Sequence, residues 1–334
     1  MTMKGAGGEV KQSGGLFDHG EDAPEVRGRC PPKARTEGDG PVRASPGVPL
    51  CEAPYPTIFR EEAKKKKDGG DPMNLLVDIG GSGVKVACET RGVIGRARRH
   101  GEIDTFDGLV RVLRGACEGT APSGVAVSAA GFVDADAGRV RRCRCAPYLE
   151  GDTVRELSKA FPGAQIRLVN DGEAHARALL RPERKTRFGA IHLALGTSVA
   201  FGVIDEQRRI VRPCDGGNWD VGDCLLRTRE APYEAWYRLG SAGLKELEQS
   251  DNDPYRRFGL RLGGFVRNLT VIFRPRTVGF SGGIVSAHGE EILRGVREEL
   301  ENERFDGPLL AQPPAFVLLK GENTAMEGLT TLLK

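Results

Sequence analysis

The stretch from Asp78 to Lys85 (D-I-G-G-S-G-V-K) places an acid, glycines, a hydroxyl and a lysine between two apolar runs. Glycines let backbone N–H groups approach an anion closely, and successive N–H groups in a turn form an anion-binding nest. Ser82 adds a hydroxyl donor, and Asp78 is placed to hold Mg²⁺ through water. The spacing matches neither a Walker loop nor a dinucleotide fingerprint. We predict a β-hairpin whose tip binds phosphate, with an ordinary polar hairpin tip as the alternative.

A second stretch has the same design. Gly196, Thr197 and Ser198 lie between the apolar runs 189–195 and 199–204. Helical segments follow each of the two strand–turn–strand units. This repetition indicates two α/β halves built on one plan, with a ligand in the cleft between them, because pockets form at domain interfaces.

Hydrophobic periodicity predicts the elements that position these turns. Strands are predicted at 75–77, 84–88, 92–97, 124–127, 165–169, 189–195, 199–204, 277–280 and 316–319. Helices are predicted at 105–117, 154–161, 172–180, 233–247, 255–271, 289–300 and 324–333. We therefore expect domains at 73–185 and 186–334, with the terminal helix able to pack back on the first.

Residues 1–72 differ from the rest of the chain. They contain 12 glycines and 9 prolines, their 12 basic and 12 acidic residues cancel, and their apolar residues show no period. Such a segment cannot bury a core, so we predict a disordered extension without a helix-turn-helix pattern. A chain that begins at Met73 is then expected to fold like the longer one.

Bulk composition limits the functional classes. The chain has 334 residues, enough for roughly two domains, and its net charge of +3 is not gathered on one face, so no nucleic-acid partner is expected. No apolar run is long enough to span a membrane, and no signal peptide is evident. Eight cysteines without regular spacing fit a reducing compartment, so we expect a cytoplasmic protein. Cys143-Arg144-Cys145 lacks a second pair at zinc spacing, so free cysteines are expected rather than a structural zinc.

Six motifs in order resemble the ROK family of sugar kinases and related repressors, in the actin–hexokinase superfamily. They are D-I-G-G-S-G-V-K at 78–85, A-V-S-A-A-G-F-V-D at 126–134, L-V-N-D-G-E-A-H-A at 168–176, L-G-T-S-V-A-F-G at 195–202, G-N-W-D-V-G-D at 217–223 and F-S-G-G-I at 280–284. The resemblance covers residues 73–334. It implies two actin/hexokinase-like (ribonuclease H-like) α/β domains around a central cleft, after the disordered extension.

The resemblance also implies roles for individual residues. Asp171 matches the catalytic base and Asn170 a sugar-binding asparagine, and the family's Glu-x-Gly-His element falls on 220–223. Phosphate, nucleotide and Mg²⁺ binding are assigned to Asp78, Gly80, Gly81, Ser82, Lys85, Gly196, Thr197, Ser198, Gly282 and Gly283. Substrate binding is assigned to Gly131, Asn170, Asp171, Asp220 and Asp223. The implied cofactors are ATP and Mg²⁺, the implied partner is a small-molecule sugar, and a homodimer is an open alternative.

The chemistry of these residue types agrees with those roles. A carboxylate fixed at a strand end can take the proton of a sugar hydroxyl as it attacks a phosphoryl group. Sugar hydroxyls both donate and accept, so binding them takes several carboxylates and amides. Asn170 and Asp171 also suit a helix N-cap, and cap and catalyst can both be true. His175, one turn along that helix, is interpreted as a packing or surface residue.

Departures from the family pattern leave three functions open. The zinc-binding cysteine run is missing after Asp223, which replaces the family's histidine, while Asp220 replaces a glutamate and Tyr148 an asparagine. Glycines of the second phosphate loop are replaced by Ser198, Ala200 and Phe201. The main expectation is an ATP- and Mg²⁺-dependent, glucokinase-like sugar kinase. The alternatives are a catalytically weak sugar sensor without a DNA-binding domain, and a glucokinase that uses polyphosphate.

Overall fold

The computed structural model describes residues 72–81, 83–101, 103–184, 186–227, 232–301, 313–321 and 323–333. The strands are β1 (Met73–Gly80), β2 (Gly83–Thr90), β3 (Val93–Ile94), β4 (Arg98–His100), β5 (Gly124–Ala129), β6 (Phe132–Asp134), β7 (Arg139–Arg142), β8 (Gln165–Asn170), β9 (Ala190–Leu195), β10 (Val199–Ile204), β11 (Ile210–Val211), β12 (Leu225–Arg227), β13 (Pro232–Glu234), β14 (Thr277–Ser281) and β15 (Ala315–Leu318). The helices are α1 (Phe106–Ala116), α2 (Thr153–Ala160), α3 (Asp171–Arg177), α4 (Ala235–Arg238), α5 (Ser241–Ser250), α6 (Pro254–Phe273), α7 (Gly283–Glu301) and α8 (Thr324–Leu329).

The first sheet has the strand order β3-β2-β1-β5-β8, and β4 also pairs with β2. β1 and β2 form an antiparallel hairpin, while β5 and β8 run parallel to β1. All six residues of β5 are buried, as expected for an apolar strand in the middle of a parallel arrangement. One face of the sheet packs on α1 and α2 through Leu109, Leu113 and Leu157.

The second sheet repeats this plan with the order β11-β10-β9-β14-β15. β9 and β10 form the antiparallel hairpin, and β14 and β15 run parallel to β9. Its apolar face packs on α6 and α7, with Phe258, Leu262 and Val296 fully buried. The α/β prediction and the predicted repetition of the hairpin unit are therefore confirmed.

Helix α3 contacts strands of both sheets: β1, β5 and β8 of the first, and β9 and β10 of the second. Helix α8 lies against α3, β1 and β5, where Ala325, Met326 and Leu329 join a core that includes Leu76 and Val169. The start of α3 is thus fixed by both halves of the fold.

Two predicted elements differ from the structure. The strand predicted at 92–97 is shortened to β3, because the chain leaves the strand after Ile94; β4 begins just beyond the predicted range, and both strands pair with β2. The helix predicted at 233–247 is confirmed only in part: α4 and α5 cover most of the range, but residues 232–234 form a strand and extended backbone at Gly240 separates the two helices. The disorder predicted for 1–72 falls, apart from the exposed Pro72, outside the described residues. No described helix has the length and apolar character needed to cross a membrane.

The contact between α8 and α3 gives a stability prediction. A Cβ on Gly328 would overlap the Ala174 carbonyl oxygen and lie 2.9 Å from its carbon. We expect Gly328→Ala to lower the free energy of unfolding by about 1–3 kcal/mol, because the helices must separate. Gly264→Ala, inside α6 with no atom within 4 Å of the new Cβ, is the matched control and should be neutral or stabilising by up to about 1 kcal/mol. Chemical denaturation measures both, and equal effects would contradict the close packing.

Candidate active site

The tips of the two hairpins approach each other. A Cβ built on Gly81 would lie 3.6 Å from Cγ2 of Thr197, an ordinary packing distance. Gly80 and Gly196 have no atom within 4 Å of the same position, so space is open beside each tip. Ser82, predicted to donate at the first tip, lies outside the described residues. The arrangement brings two glycine-rich turns to the same ligand space.

Asp78 is fixed near the end of β1 by the neighbouring strand. Ser128 on β5 is its register partner, is fully buried, and donates from Oγ to Asp78 Oδ1 over 2.6 Å. Lys85 is the partner of Asp78 across the β1–β2 hairpin. A carboxylate that is held by one oxygen and faces a cleft suits Mg²⁺, whose preferred ligands are oxygens and which keeps several waters.

Asn170 and Asp171 lie where β8 ends and α3 begins. Asn170 is the N-cap: its Oδ1 accepts from the Gly172 N–H over 2.8 Å, and its Nδ2 donates to the Gly131 carbonyl over 2.9 Å. The same Gly172 N–H donates to Asp171 Oδ1 over 2.9 Å. The N-cap interpretation of Asn170 is thus confirmed, and its amide joins Gly131 to the start of α3.

The electrostatic environment makes Asp171 a base near neutral pH. Burial raises the pKa of Asp171 to about 7, the negative charge of Asp78 adds to the rise, and the Gly172 hydrogen bond opposes it. A general base works best when its pKa lies near the operating pH. The Cys145 charge also raises this pKa, and Asp171 lines the same cleft as Asp78 and Cys145.

Close backbone contacts hold α3 in place. A Cβ on Gly172 would overlap the Phe201 carbonyl oxygen and lie 2.6 Å from the Phe201 nitrogen on β10. Phe201, which replaces a family glycine, is 1% exposed and packs on Phe273 at a ring-centroid distance of 5.5 Å. Its ring therefore fills core space, and its backbone supports the helix that begins at Asp171.

The second hairpin tip is supported by its neighbours. Gly282, with φ +97°, crosses the end of β9 so closely that a Cβ would lie 2.8 Å from the Leu195 carbonyl carbon. Gly283 begins α7 with open space beside it. The Ser241 N–H donates to the Gly196 carbonyl over 2.9 Å. This N–H is available because the chain breaks between α4 and α5. The unpredicted helix break thus positions a predicted turn.

The three remaining predicted residues lie in two loops. Asp220 and Asp223 follow β11, and Gly131 directly precedes β6. Asp220 directly precedes a short 3-10 turn at Val221–Asp223, and Asp223 is its last residue. Burial and the Asp223 charge raise the pKa of Asp220, while Arg144 opposes the rise. Gly131 has φ +154°, and a Cβ there would overlap the Arg142 carbonyl oxygen, so only glycine fits this position.

One cleft of about 1310 Å³ is lined by every predicted site residue that the structure describes. These residues are Asp78, Gly80, Gly81, Lys85, Gly131, Asn170, Asp171, Gly196, Thr197, Ser198, Asp220, Asp223, Gly282 and Gly283. Motifs from six separate parts of the chain therefore meet at one place. A cleft of this size can hold two small ligands together.

Sequence reasoning missed several cleft residues. His175, interpreted from the sequence as a packing or surface residue, lines the cleft, while its ring stacks on His192 and its Nδ1 lies 2.8 Å from Ser281 Oγ. Arg99 reaches the cleft because β4 pairs with β2, which no local pattern signals. Cys145 is the third such residue. Its C-x-C spacing with Cys143 could have marked it, but this spacing was considered only as a possible metal site.

Comparisons with known proteins place this fold. No family model matches the sequence, and the search of curated proteins finds no significant match. Among solved structures, a ROK family glucokinase from Streptomyces griseus in complex with glucose and AMPPNP has a TM-score of 0.62 at 19% identity, covering 78% of this chain and 99% of its own. An inorganic polyphosphate/ATP-glucomannokinase from Arthrobacter has a TM-score of 0.60 at 17% identity, with 79% and 98% covered. A ROK family transcriptional regulator, a homologue of the E. coli MLC protein, has a TM-score of 0.61 at 14% identity, with 77% and 76% covered.

The chain has the actin/hexokinase-like α/β fold of the ROK sugar kinases. The resemblance inferred from the motifs is confirmed at the level of the fold. Because this fold occurs in sugar kinases and also in a transcriptional regulator, the activity must be argued from the site.

Proposed function

We propose that this protein transfers the γ-phosphoryl group of ATP to a hydroxyl of a sugar, with Asp171 as the general base. The observation that carries the proposal is the placement of Asp171, whose pKa is about 7, in one cleft with two facing glycine-rich turns. The sequence ranges 73–185 and 186–334 would be the two domains around that cleft.

Asp171 would take the proton of the attacking hydroxyl. The carboxylate is held by the Gly172 N–H through Oδ1, which leaves Oδ2 for the sugar. A sugar hydroxyl is a weak nucleophile, and a positioned base removes its proton as the bond to phosphorus forms. The remaining contribution is positioning of the two reactants, because phosphoryl transfer needs little covalent chemistry from the protein.

The donor half of the cleft suits a nucleotide with Mg²⁺. Asp78 would hold the cation through water, and Gly80, Gly81 and the segment Gly196–Ser198 would face the phosphates with backbone N–H groups. When bound, Mg²⁺ neutralises charge on the phosphate oxygens. Lys85, also in the cleft, adds positive charge, and Gly283, with open space beside it, leaves room for the adenosine next to Gly282.

The acceptor half would bind the sugar through polar groups that converge from several elements. Asn170, Gly131, Asp220 and Asp223 line the same cleft. The Asn170 amide already bonds Gly172, Gly131 and, over 3.5 Å, the Ala129 carbonyl, so it would offer the sugar one lone pair of its oxygen and the N–H that now makes the long contact.

The two alternatives keep specific support. The regulator that shares this fold favours a sugar sensor without turnover, and the glucomannokinase named for polyphosphate and ATP favours a second donor. The presence of Asp171 in one cleft with both glycine-rich turns favours the kinase function. The replacement at Phe201 does not weaken this inference, because that ring lies in the core.

A coupled ADP-release assay tests the proposal. Full-length protein would be screened with ATP and Mg²⁺ over hexoses, free amino sugars and N-acetylated sugars, with polyphosphate as a second donor arm. Sugar-dependent ADP release supports the kinase. A sugar monophosphate formed from polyphosphate alone supports the second donor, and binding without phosphoryl transfer from either donor supports the sensor.

Sugar choice gives a further prediction at Asp223. An ionised carboxylate only accepts hydrogen bonds, so Asp220 and Asp223 should prefer donor-rich sugars over an N-acetyl group, whose carbonyl would face unmatched oxygens. Both acids are exposed in this structure, but once a bound sugar covers them, unmatched polar groups would cost about 1–3 kcal/mol each. We expect hexoses or free amino sugars to have the higher kcat/KM, and Asp223→His to raise the relative value for N-acetylated sugars. An unchanged ranking in the variant, or N-acetylated sugars as the best substrates, would contradict this assignment.

A further inference from the structure

Two cysteines lie together at the wall of the cleft. Cys143 and Cys145 follow β7, and their sulfurs are 3.6 Å apart. Cys143 is fully buried, whereas Cys145 is exposed and lines the cleft. Both sulfurs lie near the Ala130 carbonyl oxygen, at 2.9 Å for Cys143 and 3.7 Å for Cys145. One sulfur is therefore accessible and the other is placed directly behind it.

Cys145 is the nucleophile of this pair. The hydrogen bond from Cys143 lowers the pKa of Cys145 to about 7, so much of it is thiolate at neutral pH. The thiolate, not the thiol, attacks sulfur. Burial raises the pKa of Cys88, Cys117 and Cys224, which makes them poorer nucleophiles.

We propose that Cys143 and Cys145 form a thiol–disulfide site that reacts with a low-molecular-weight disulfide and, once oxidised, impairs the acceptor half of the cleft. The effect on activity rests on the proposed kinase function, whereas the covalent chemistry does not.

The reaction balances in two exchange steps. The Cys145 thiolate attacks one sulfur of glutathione disulfide, forming a mixed disulfide and releasing one glutathione thiolate. Cys143, whose proton passes to that thiolate, then attacks the Cys145 sulfur and expels the second glutathione as a thiolate. This thiolate takes from solvent the proton that Cys145 released when it ionised. Relative to the dithiol, the protein loses two electrons and two protons, and the small disulfide is reduced to two thiols.

Ring closure must disturb the residues that hold Asn170. A disulfide bond is about 2.0 Å long, so the sulfurs must approach by more than an ångström. Cys143 packs closely against Gly131: a Cβ on Gly131 would lie 3.0 Å from the Cys143 Cα. The two backbone segments therefore cannot come closer together. The Gly131 carbonyl accepts from Asn170, the residue that caps α3 before Asp171. Movement of the cysteine segment is thus passed to the start of α3.

The experiment compares reduced protein with protein treated with glutathione disulfide. Peptide mapping after alkylation identifies the Cys143–Cys145 cross-link, and calorimetry and steady-state kinetics measure sugar binding and turnover. We expect the cross-link, a loss in kcat/KM for the sugar on the order of 10- to 100-fold from ångström-scale misplacement, and recovery on reduction. Treatment of Cys145→Ser should change its own kcat/KM little, whereas Cys214→Ser, which removes an exposed cysteine elsewhere, should respond like the natural chain.

Several results would overturn the proposal. One is a stable mixed disulfide on Cys145 without ring closure, and another is reaction at Cys214 or Cys224 in preference to this pair. Complete cross-linking with unchanged sugar affinity and turnover would overturn the link to the acceptor site. If no sugar is phosphorylated by reduced protein, the kinase function fails, while the mapped cross-link still decides the thiol chemistry.

Discussion

Asp171→Asn is expected to lower the turnover number for sugar phosphorylation about 100- to 10,000-fold, the range typical for loss of a general base. The amide keeps the shape of the carboxylate, and its oxygen can still accept from the Gly172 N–H. It cannot take a proton at neutral pH. Sugar affinity measured by calorimetry should therefore change far less than turnover.

The pH dependence of kcat/KM tests the role of Asp171 independently. The base must be deprotonated, and burial with the Asp78 charge raises its pKa to about 7. The natural chain should lose kcat/KM as the pH falls below about 7, at a lower pH where bound Mg²⁺ offsets the Asp78 charge, and this inflection should be missing from the residual activity of the asparagine variant. Asp107→Asn, an exposed acid on α1, is the control. A variant with near-full turnover would remove Asp171 from its role.

Asp78→Asn is expected to lower turnover by on the order of 10- to 100-fold and to raise the Mg²⁺ concentration needed for half-maximal rate, as for the loss of a group that orients a metal's waters. A neutral amide attracts the cation less than a carboxylate does. The Ser128 hydroxyl can still bond the amide oxygen, so the strand pairing should survive.

The Ser128→Ala variant separates the effect of the Asp78 charge from the effect of the Asp78 position. It keeps the Asp78 carboxylate but removes the 2.6 Å hydrogen bond that fixes it. We expect a smaller loss than for Asp78→Asn, with the same direction of change in the Mg²⁺ requirement. An Asp78→Asn variant with unaltered Mg²⁺ dependence would place the cation elsewhere. Thermal melts of both variants check that the first sheet is intact.

The sequence predicted the site well where local chemistry and strand position coincide. Glycine-rich turns after apolar runs mark strand ends, so Gly81 and Thr197 were expected at one cleft, and their tips do face each other. Asn170 was assigned two roles because cap and ligand use the same carboxamide; the cap is observed, and the sugar contact remains a prediction.

The missed features depend on contacts between distant segments. The helix break at Gly240 places the Ser241 N–H against Gly196, a contact 45 residues apart that apolar periodicity cannot encode. Ser128 orients Asp78 only because β1 and β5 are neighbours in register. Arg99 enters the cleft through strand pairing alone. Local patterns thus identified the turns and the acids, whereas the supporting residues required the assembled sheets.

The most direct test of the central claim is product mass spectrometry on the natural chain and on Asp171→Asn, incubated in parallel with ATP, Mg²⁺ and the sugar panel. The account predicts a sugar monophosphate formed by the natural chain and strongly reduced product from the variant, although both bind the sugar. A natural chain that binds sugar and nucleotide yet forms no phosphorylated sugar would contradict the kinase and favour the sensor.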